Sequence, residues 1–503
     1  MRPGGDCLQK HKSAWLWDAL CWLGLTALGF WIIYHFAAGT TPLRPHEYLW
    51  DSALFQAVGK LWADGMTPYV DIFDHKGPLL FLAQKIAYHF SHPRTALYVL
   101  ECLMVSVSLG LGYQTLRLKW KHLPSFAGAV LMAAFWLPLM EYGNLCETHS
   151  MPWLMLSVYF QMRYLASGSR RHPPLYAFLY GLCFGANVMI RPNNGMLIAV
   201  MTFVITIELA IRGEWKNILL NAAALIVGAA CATVPFAAYF QAKNAMDAFV
   251  YATWTFNLIY AESLKLALDW QSIRNVLFFI TPAMVCAGLC GVCCIRRQWL
   301  LAGLNALAAA GTLFVTLSGI GYSHYFMLHV PLIPLAFFTM HEAGKDRRLW
   351  KWLLILVCIG FTAVTLRTAL PYAKQNYLHA PTPQEAAQEE NYDALVDALS
   401  SRIPPEERDQ VALCGMLVTD AELILKTDIH PVGRYCFLME WHSRADNSIR
   451  KRFIKTLQNG TAQWVIYREG GAGKDILSIL DERYERMAVE TYQDTDYMLY
   501  RWK

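Results

Sequence analysis

The sequence predicts a polytopic α-helical membrane protein with a small C-terminal α/β domain outside the bilayer. Three observations carry that reading. Of 503 residues, 55% are hydrophobic and only 16% are charged, against about 25% charge in ordinary soluble proteins. Apolar runs such as WLGLTALGFWIIYHFAA, LLNAAALIVGAACATVPFAAYF and LLILVCIGFTAVTL approach or reach the ~20 residues that cross a bilayer. Short polar joints separate these runs, and basic residues gather in alternate joints.

Taken in order, the apolar runs predict eleven spans, near 15–37, 95–116, 124–140, 150–166, 174–190, 194–212, 218–240, 275–294, 299–317, 322–341 and 352–371. The first is expected to be a true span, since it lacks a small-x-small cleavage pattern and many spans follow it. Basic joints include RPGGDCLQKHK, RLKWKH, SGSRRH, RGEWK and GKDRRLWK. The intervening joints, EYGNLCETHS, 241–272 and SGIGYSH, are acidic, long or nearly neutral. The positive-inside rule places the basic set in the cytoplasm and the C-terminal tail outside. Residues 79–91, LLFLAQKIAYHFS, are too short for an ordinary span. Counting them would invert every later loop. They read as a helix at the outer interface, with a short tilted span as the alternative.

The chain divides into a membrane domain at 1–380, whose first external loop covers 38–94, and a tail domain at 385–503. In the tail, DALVDALSSRI, NSIRKRFIKTLQN and GGAGKDILSILDERYERM read as helices. QVALCGM and AQWVIYR read as strands. Alternation of the two suggests a small α/β layer. In the second helix Ile449, Phe453, Ile454 and Leu457 share one face. The run at 470–474 lacks Walker spacing and reads as a strand-to-helix turn. Cys414 and Cys436 could pair, although no spacing requires it. The formal charge of +5 comes without the aromatic-interleaved basic stretch of a nucleic-acid site.

The first loop holds the chemistry. DSALFQAVGKLWADG places Leu54, Val58, Leu61 and Trp62 on one stripe, an amphipathic helix suited to the interface. Asp51 at its start is either a cap for free N–H groups or a reactive carboxylate. Then follows PYVDIFDHKGPLL (68–80), in which Asp74, His75 and Lys76 stand before a Gly-Pro turn and an apolar helix. Ionisable groups at membrane depth read as functional by default. An acid and a cation together suit sugar transfer from a phospholipid-like carrier: the acid takes a proton from an acceptor hydroxyl and the cation steadies phosphate charge. Other external joints add Glu141, Asn144, Glu147 and His149, then Arg191, Asn193 and Asn194, then Tyr322, His324 and Tyr325. Arg191 reads as a headgroup snorkel or a second phosphate ligand, and the four joints are expected to share one cavity.

With Asp51 opening a helix in the first loop and Tyr69–Pro78 reading YVDIFDHKGP, the chain resembles the GT-C superfamily of membrane glycosyltransferases. It is most similar to bacterial relatives of the dolichyl-phosphate-mannose protein mannosyltransferases and of the lipid A aminoarabinose transferases. Such proteins often carry Asp-Glu in this loop and then Lys-Pro-Pro-Leu. Here Ser52 follows Asp51, and the second segment takes the HKGP form. The resemblance implies a GT-C type fold and an inverting transfer from a polyprenyl-phosphate sugar at the external face. Asp51 would be the base, with Asp74 as the competing candidate and Glu47 or Asp74 as its acidic partner. Lys76 would meet the carrier phosphate, with His75 or Arg191 nearby. Glu147 resembles the acid of the second external loop, and Arg191, Asn193, His324 and Tyr325 resemble recurring polar patches. The implied setting is a bacterial cytoplasmic membrane, with a glycolipid, cell-envelope polymer or protein as acceptor and no nucleic-acid partner. No cofactor is required. A divalent metal is not demanded, although Asp51, Glu147 and His149 could hold one. The alternatives are a ligase for lipid-linked oligosaccharide and a transporter; no inverted repeat supports the latter.

Overall fold

The computed structural model describes residues 5–46, 48–263, 276–317, 322–344, 348–415, 417–437, 440–471 and 473–503. Among the described residues eight helices are long and apolar enough to cross a membrane: Trp15–Phe36, Pro93–Arg117, His122–Leu139, Pro192–Ile211, Trp215–Ala242, Trp299–Leu317, Ser323–Gly344 and Ile355–Asn376. The other three expected spans fall on Cys146–Ser167, Pro174–Val188 and Thr281–Ile295. Two of these are only 15 residues long. The third carries Glu147 and Arg163, which lower its hydropathy. The first ten residues after the HKG motif form a separate helix, Pro78–Ala87. At 1.5 Å per residue it rises about 15 Å, half the hydrocarbon thickness.

The chain forms two compact units. The first comprises Met1–Ala37, Tyr98–Pro235 and Leu266–Leu378. Its core includes Leu25, Ile33, Leu109, Met132, Trp136 and Phe326 in one apolar cluster. A second cluster gathers Leu154, Met201, Leu304 and Leu335. Small residues set the closest helix approach. A Cβ on Gly181 would stand 1.9 Å from the Leu225 carbonyl oxygen, and one on Gly228 would stand 2.0 Å from that of Phe178. Helices Pro174–Val188 and Trp215–Ala242 therefore touch through backbone, the contact that dispersion favours where water cannot drive association. Asp18, near the N-terminal end of the first span, is a structural carboxylate. It accepts from the Tyr113 hydroxyl at 2.6 Å and from Arg117 Nε at 3.1 Å.

The second unit gathers Ala38–Leu97, Phe236–Lys265 and His379–Lys503. Its sheet has the order β1-β2-β4-β3, with β1 Val411–Cys414, β2 Trp464–Arg468, β3 Tyr484–Tyr492 and β4 Thr495–Trp502. The β1–β2 pair is parallel and the other pairs are antiparallel. The closing stretch is a hairpin, turned at Gln493 (φ 46°) and Asp494 (φ 57°). Two successive positive φ values match the twist of paired strands. Helix Asn447–Gln458 buries Ile449, Phe453 and Leu457, and packs the last two against this sheet. Gly473 starts helix Lys474–Arg483 after β2, so the glycine run is the turn its spacing suggests. Helix Leu417–Lys426 was not foreseen. Cys414 and Cys436 are both free and buried.

The loop helix Trp50–Ala63 is buried along most of its length, polar Ser52 and Gln56 included. The Gln56 amide donates to the Gly39 carbonyl at 3.2 Å and to the Ser52 hydroxyl at 3.1 Å. Its neighbours in the unit are helices Pro78–Ala87 and Leu417–Lys426. A Cβ on Gly59 would meet Gln84 Cβ at 2.3 Å. The stripe Leu54, Val58, Leu61 and Trp62 is thus part of a protein core rather than the only apolar face.

Candidate active site

Within the second unit, residues 68–77 fold as a tight, pinned loop. The Tyr69 N–H donates to the Ile72 carbonyl at 2.7 Å, and the Phe73 N–H donates to the Arg434 carbonyl at 2.7 Å. Tyr69 is fully buried at φ 69°, and its hydroxyl donates to the Lys76 carbonyl at 2.7 Å. Asp74 Oδ1 accepts the Lys76 N–H at 2.7 Å, an Asx-type turn. These bonds aim the Lys76 side chain: its Nζ lies 2.8 Å from His75 Nε2. An ammonium can only donate, so the His75 Nε2 accepts and His75 is neutral with its proton on Nδ1. That nitrogen faces Asp74 Oδ1 at 3.8 Å, beyond hydrogen-bond range.

Asp74 is 1% exposed. Burial pushes its carboxyl above the ordinary range. The Lys76 charge and the Lys76 N–H pull the other way, and nearby Asp51 adds to the rise. Among the described residues Asp74 Oδ2 has no hydrogen-bond partner. An aromatic shell from distant sequence encloses the loop. His75 packs against Phe256, Tyr260, Trp441 and His442. Phe73 packs against Tyr251, Phe256, Tyr435 and His442. Asn257 donates to the His75 carbonyl at 2.9 Å. It follows a five-residue π-helical stretch, Tyr251–Thr255, a local irregularity common at functional sites.

Asp51 stands in the first turn of its helix. The N-cap is Leu49, and no side chain caps that end. Among the described residues the Asp51 carboxylate makes no hydrogen bond or ion pair. Capping is therefore not its role, although its charge still suits the helix N-terminus. The preceding Trp50 has φ 35°, an outlier for a bulky residue. Glu47, the other acidic candidate, lies outside the described residues.

The first unit holds a second polar cluster. Glu147, 1% exposed, accepts from Arg191 Nη1 at 2.6 Å. The Arg191 guanidinium lies 3.9 Å from the Tyr325 ring centre. Glu141 accepts from Ser323 Oγ at 2.5 Å and pairs with His324 Nδ1 at 3.0 Å. Burial pushes the Glu141 carboxyl up, but the His324 and Ser323 bonds outweigh it and hold it below its usual range. His149 Nε2 meets Asn144 Oδ1 at 2.9 Å. Asn193 is exposed, whereas Asn194 is buried and donates to Ser150 Oγ at 2.9 Å. Glu141 and Asn144 both have positive φ, 48° and 52°. Strained backbone thus recurs at Trp50, Tyr69, Glu141 and Asn144, all in the candidate loops, and such strain persists where surrounding structure over-determines it.

The nine residues picked from sequence fall into two groups. Asp51, Asp74, His75 and Lys76 belong to the second unit. Glu147, Arg191, Asn193, His324 and Tyr325 belong to the first. Sequence reasoning missed His442, Arg434 and Asn257, which support the HKG loop from more than 180 residues away. Among the described residues no group of three His, Cys, Asp or Glu side chains is placed to hold a metal.

No family model and no curated protein matches the chain. Solved structures do. The aminoarabinose transferase ArnT from Cupriavidus metallidurans, bound to undecaprenyl phosphate, matches with a TM-score of 0.53 at 15% identity, over 96% of this chain and 97% of that one. Its apo form matches with a TM-score of 0.56 at 13% identity, over 97% and 98%. The oligosaccharyltransferase from Archaeoglobus fulgidus matches with a TM-score of 0.54 at 13% identity, over 92% of this chain and 73% of that one. The chain has the fold of these proteins, which is the GT-C type.

Proposed function

We propose that this protein transfers a sugar from a polyprenyl-phosphate carrier to an acceptor hydroxyl at the external face of the membrane. One observation carries the reading: a half-buried lysine is aimed by a pinned loop, on a fold shared end to end with a transferase seen holding undecaprenyl phosphate. In this account Lys76 receives the carrier phosphate. Its neighbour His75 lies 2.8 Å from the Lys76 ammonium and helps to orient it.

Asp51 is the base. It takes the proton from the acceptor hydroxyl as that oxygen attacks C1 of the sugar. The bond from C1 to the phosphate oxygen breaks, and its electron pair leaves with the phosphate on the opposite face. The anomeric configuration therefore inverts. A phosphate leaves without protonation, so acid–base work is one-sided, unlike a glycosidase pair. Asp74 is the weaker candidate for the base: it is buried, and its Oδ1 is committed to the loop's own turn. Glu147 fixes Arg191 over Tyr325, and that assembly serves as a second polar patch for donor or acceptor.

The test is equilibrium binding of a polyprenyl phosphate to purified protein and to Lys76→Met. Loss of a hydrogen bond to a charged group should weaken binding by about 10- to 100-fold. Unchanged affinity would leave Lys76 a surface residue and remove the phosphate assignment.

A further inference from the structure

The tail brings one titratable group into the HKG loop that the proposed reaction does not use. His442, on helix Glu440–Ala445, is fully buried. Its ring lies close to Trp441 at 3.7 Å, tilted by 55°, and meets Phe73 at 5.2 Å, Phe256 at 5.2 Å and His75 at 5.6 Å between centres. Among the described residues neither ring nitrogen has a hydrogen-bond partner. Burying a polar group without a partner costs free energy that packing alone does not return. Such a group near a lysine points to a ligand that completes it.

We propose that His442 completes the phosphate site of the first loop, its ring N–H serving as a neutral donor to the phosphate that Lys76 receives. Burial, with the Lys76 charge acting in the same direction, holds this imidazole well below its ordinary range, so it is neutral at pH 7. A neutral imidazole carries one N–H and one lone pair. Beside an ammonium it adds a hydrogen bond to an anion without adding a second, repelling cation. The C-terminal domain then has a direct part in donor recognition: it supplies a ligand-binding side chain. The inference rests on the assignment of Lys76 above.

The experiment titrates a polyprenyl phosphate, and separately the matching polyprenol, into the full-length protein in nanodiscs. His442→Phe keeps an aromatic ring and removes the donor; His442→Gln restores an N–H. His442→Phe should bind the phosphate about tenfold more weakly, with polyprenol binding unchanged, and His442→Gln should recover most of the loss. Wild-type affinity in His442→Phe, or equal losses in both variants, overturns the proposal. Lys76→Met separates the two claims. If it binds as wild type, the phosphate reading itself fails; if it is weak while His442→Phe is normal, only the role of His442 falls. Should His442→Phe not fold, ¹⁵N-histidine spectra of the wild type decide. The His442 resonance, assigned by its loss in His442→Gln, must move on adding polyprenyl phosphate, and a stationary resonance overturns the proposal.

Discussion

The two polar clusters are built from similar residues but solve burial differently. In the first unit, Glu147 has its cation at 2.6 Å, and Glu141 has an imidazole at 3.0 Å and a hydroxyl at 2.5 Å. Each carboxylate there is matched. In the second unit, Asp74 has its imidazole at 3.8 Å, keeps one oxygen unpartnered and is pushed toward its neutral form. His442, against the His75 ring, is a neutral imidazole with both nitrogens unpartnered among the described residues. A matched ion pair holds a shape, and breaking it costs stability. An under-satisfied cluster stores unmet hydrogen bonds that a ligand can meet. In the proposed reading the unmatched cluster is the one that receives the phosphate.

That contrast can be broken by substitution. The largest stability effect belongs to the matched cluster. Glu147→Gln leaves Arg191 without its counter-charge and should cost about 3–5 kcal/mol, read as a fall in thermal midpoint. Combining it with Arg191→Met should restore part of the loss, whereas strict additivity would deny the coupling. Lys76→Met should cost far less stability, because its main effect falls on carrier binding. Smaller still are the buried acids of the second unit. Asp74 has its carboxyl raised, so its contribution is full below the ordinary value near 3.8 and is lost as pH rises through the folded value. Asp74→Asn keeps an oxygen for the Lys76 N–H and should become the more stable protein as pH rises. A wild type that gains stability on the variant over that range would contradict the shift. Asp420 repeats the logic in the tail. Burial pushes it up to about 8, opposed by its bond from the Gly415 N–H and by Arg468. Wild-type stability should fall as pH rises from 3.8 toward about 8 and level off above it, and Asp420→Asn should flatten that fall.

Much of this was legible in sequence, and for local reasons. Apolar runs fix helices by composition. The loop helix, the glycine turn before Lys474 and the buried face of Asn447–Gln458 follow from periodicity and turn chemistry. What was not legible is long-range. Nothing in WHSRAD marks His442 as a neighbour of His75, because that contact is made by tertiary packing across more than 360 residues. Phe236–Lys265 gave no sign that Asn257 would hold the His75 carbonyl. Asn193 and Asn194 could not be ranked from sequence: the short 3₁₀ turn Pro192–Gly195 decides that the second of them points inward. The role of Asp51 as a cap was a fair expectation for a helix start, and the structure withdraws it by placing Leu49 at the cap.

The most direct test of the proposed chemistry is turnover by Asp51→Asn with a polyprenyl-phosphate sugar as donor. General-base contributions run to about 10²–10⁴-fold. The account predicts that transfer falls by about that factor while the folded protein still binds the carrier through Lys76. Full turnover in Asp51→Asn, with Asp74→Asn inactive instead, would contradict it and move the base into the HKG loop.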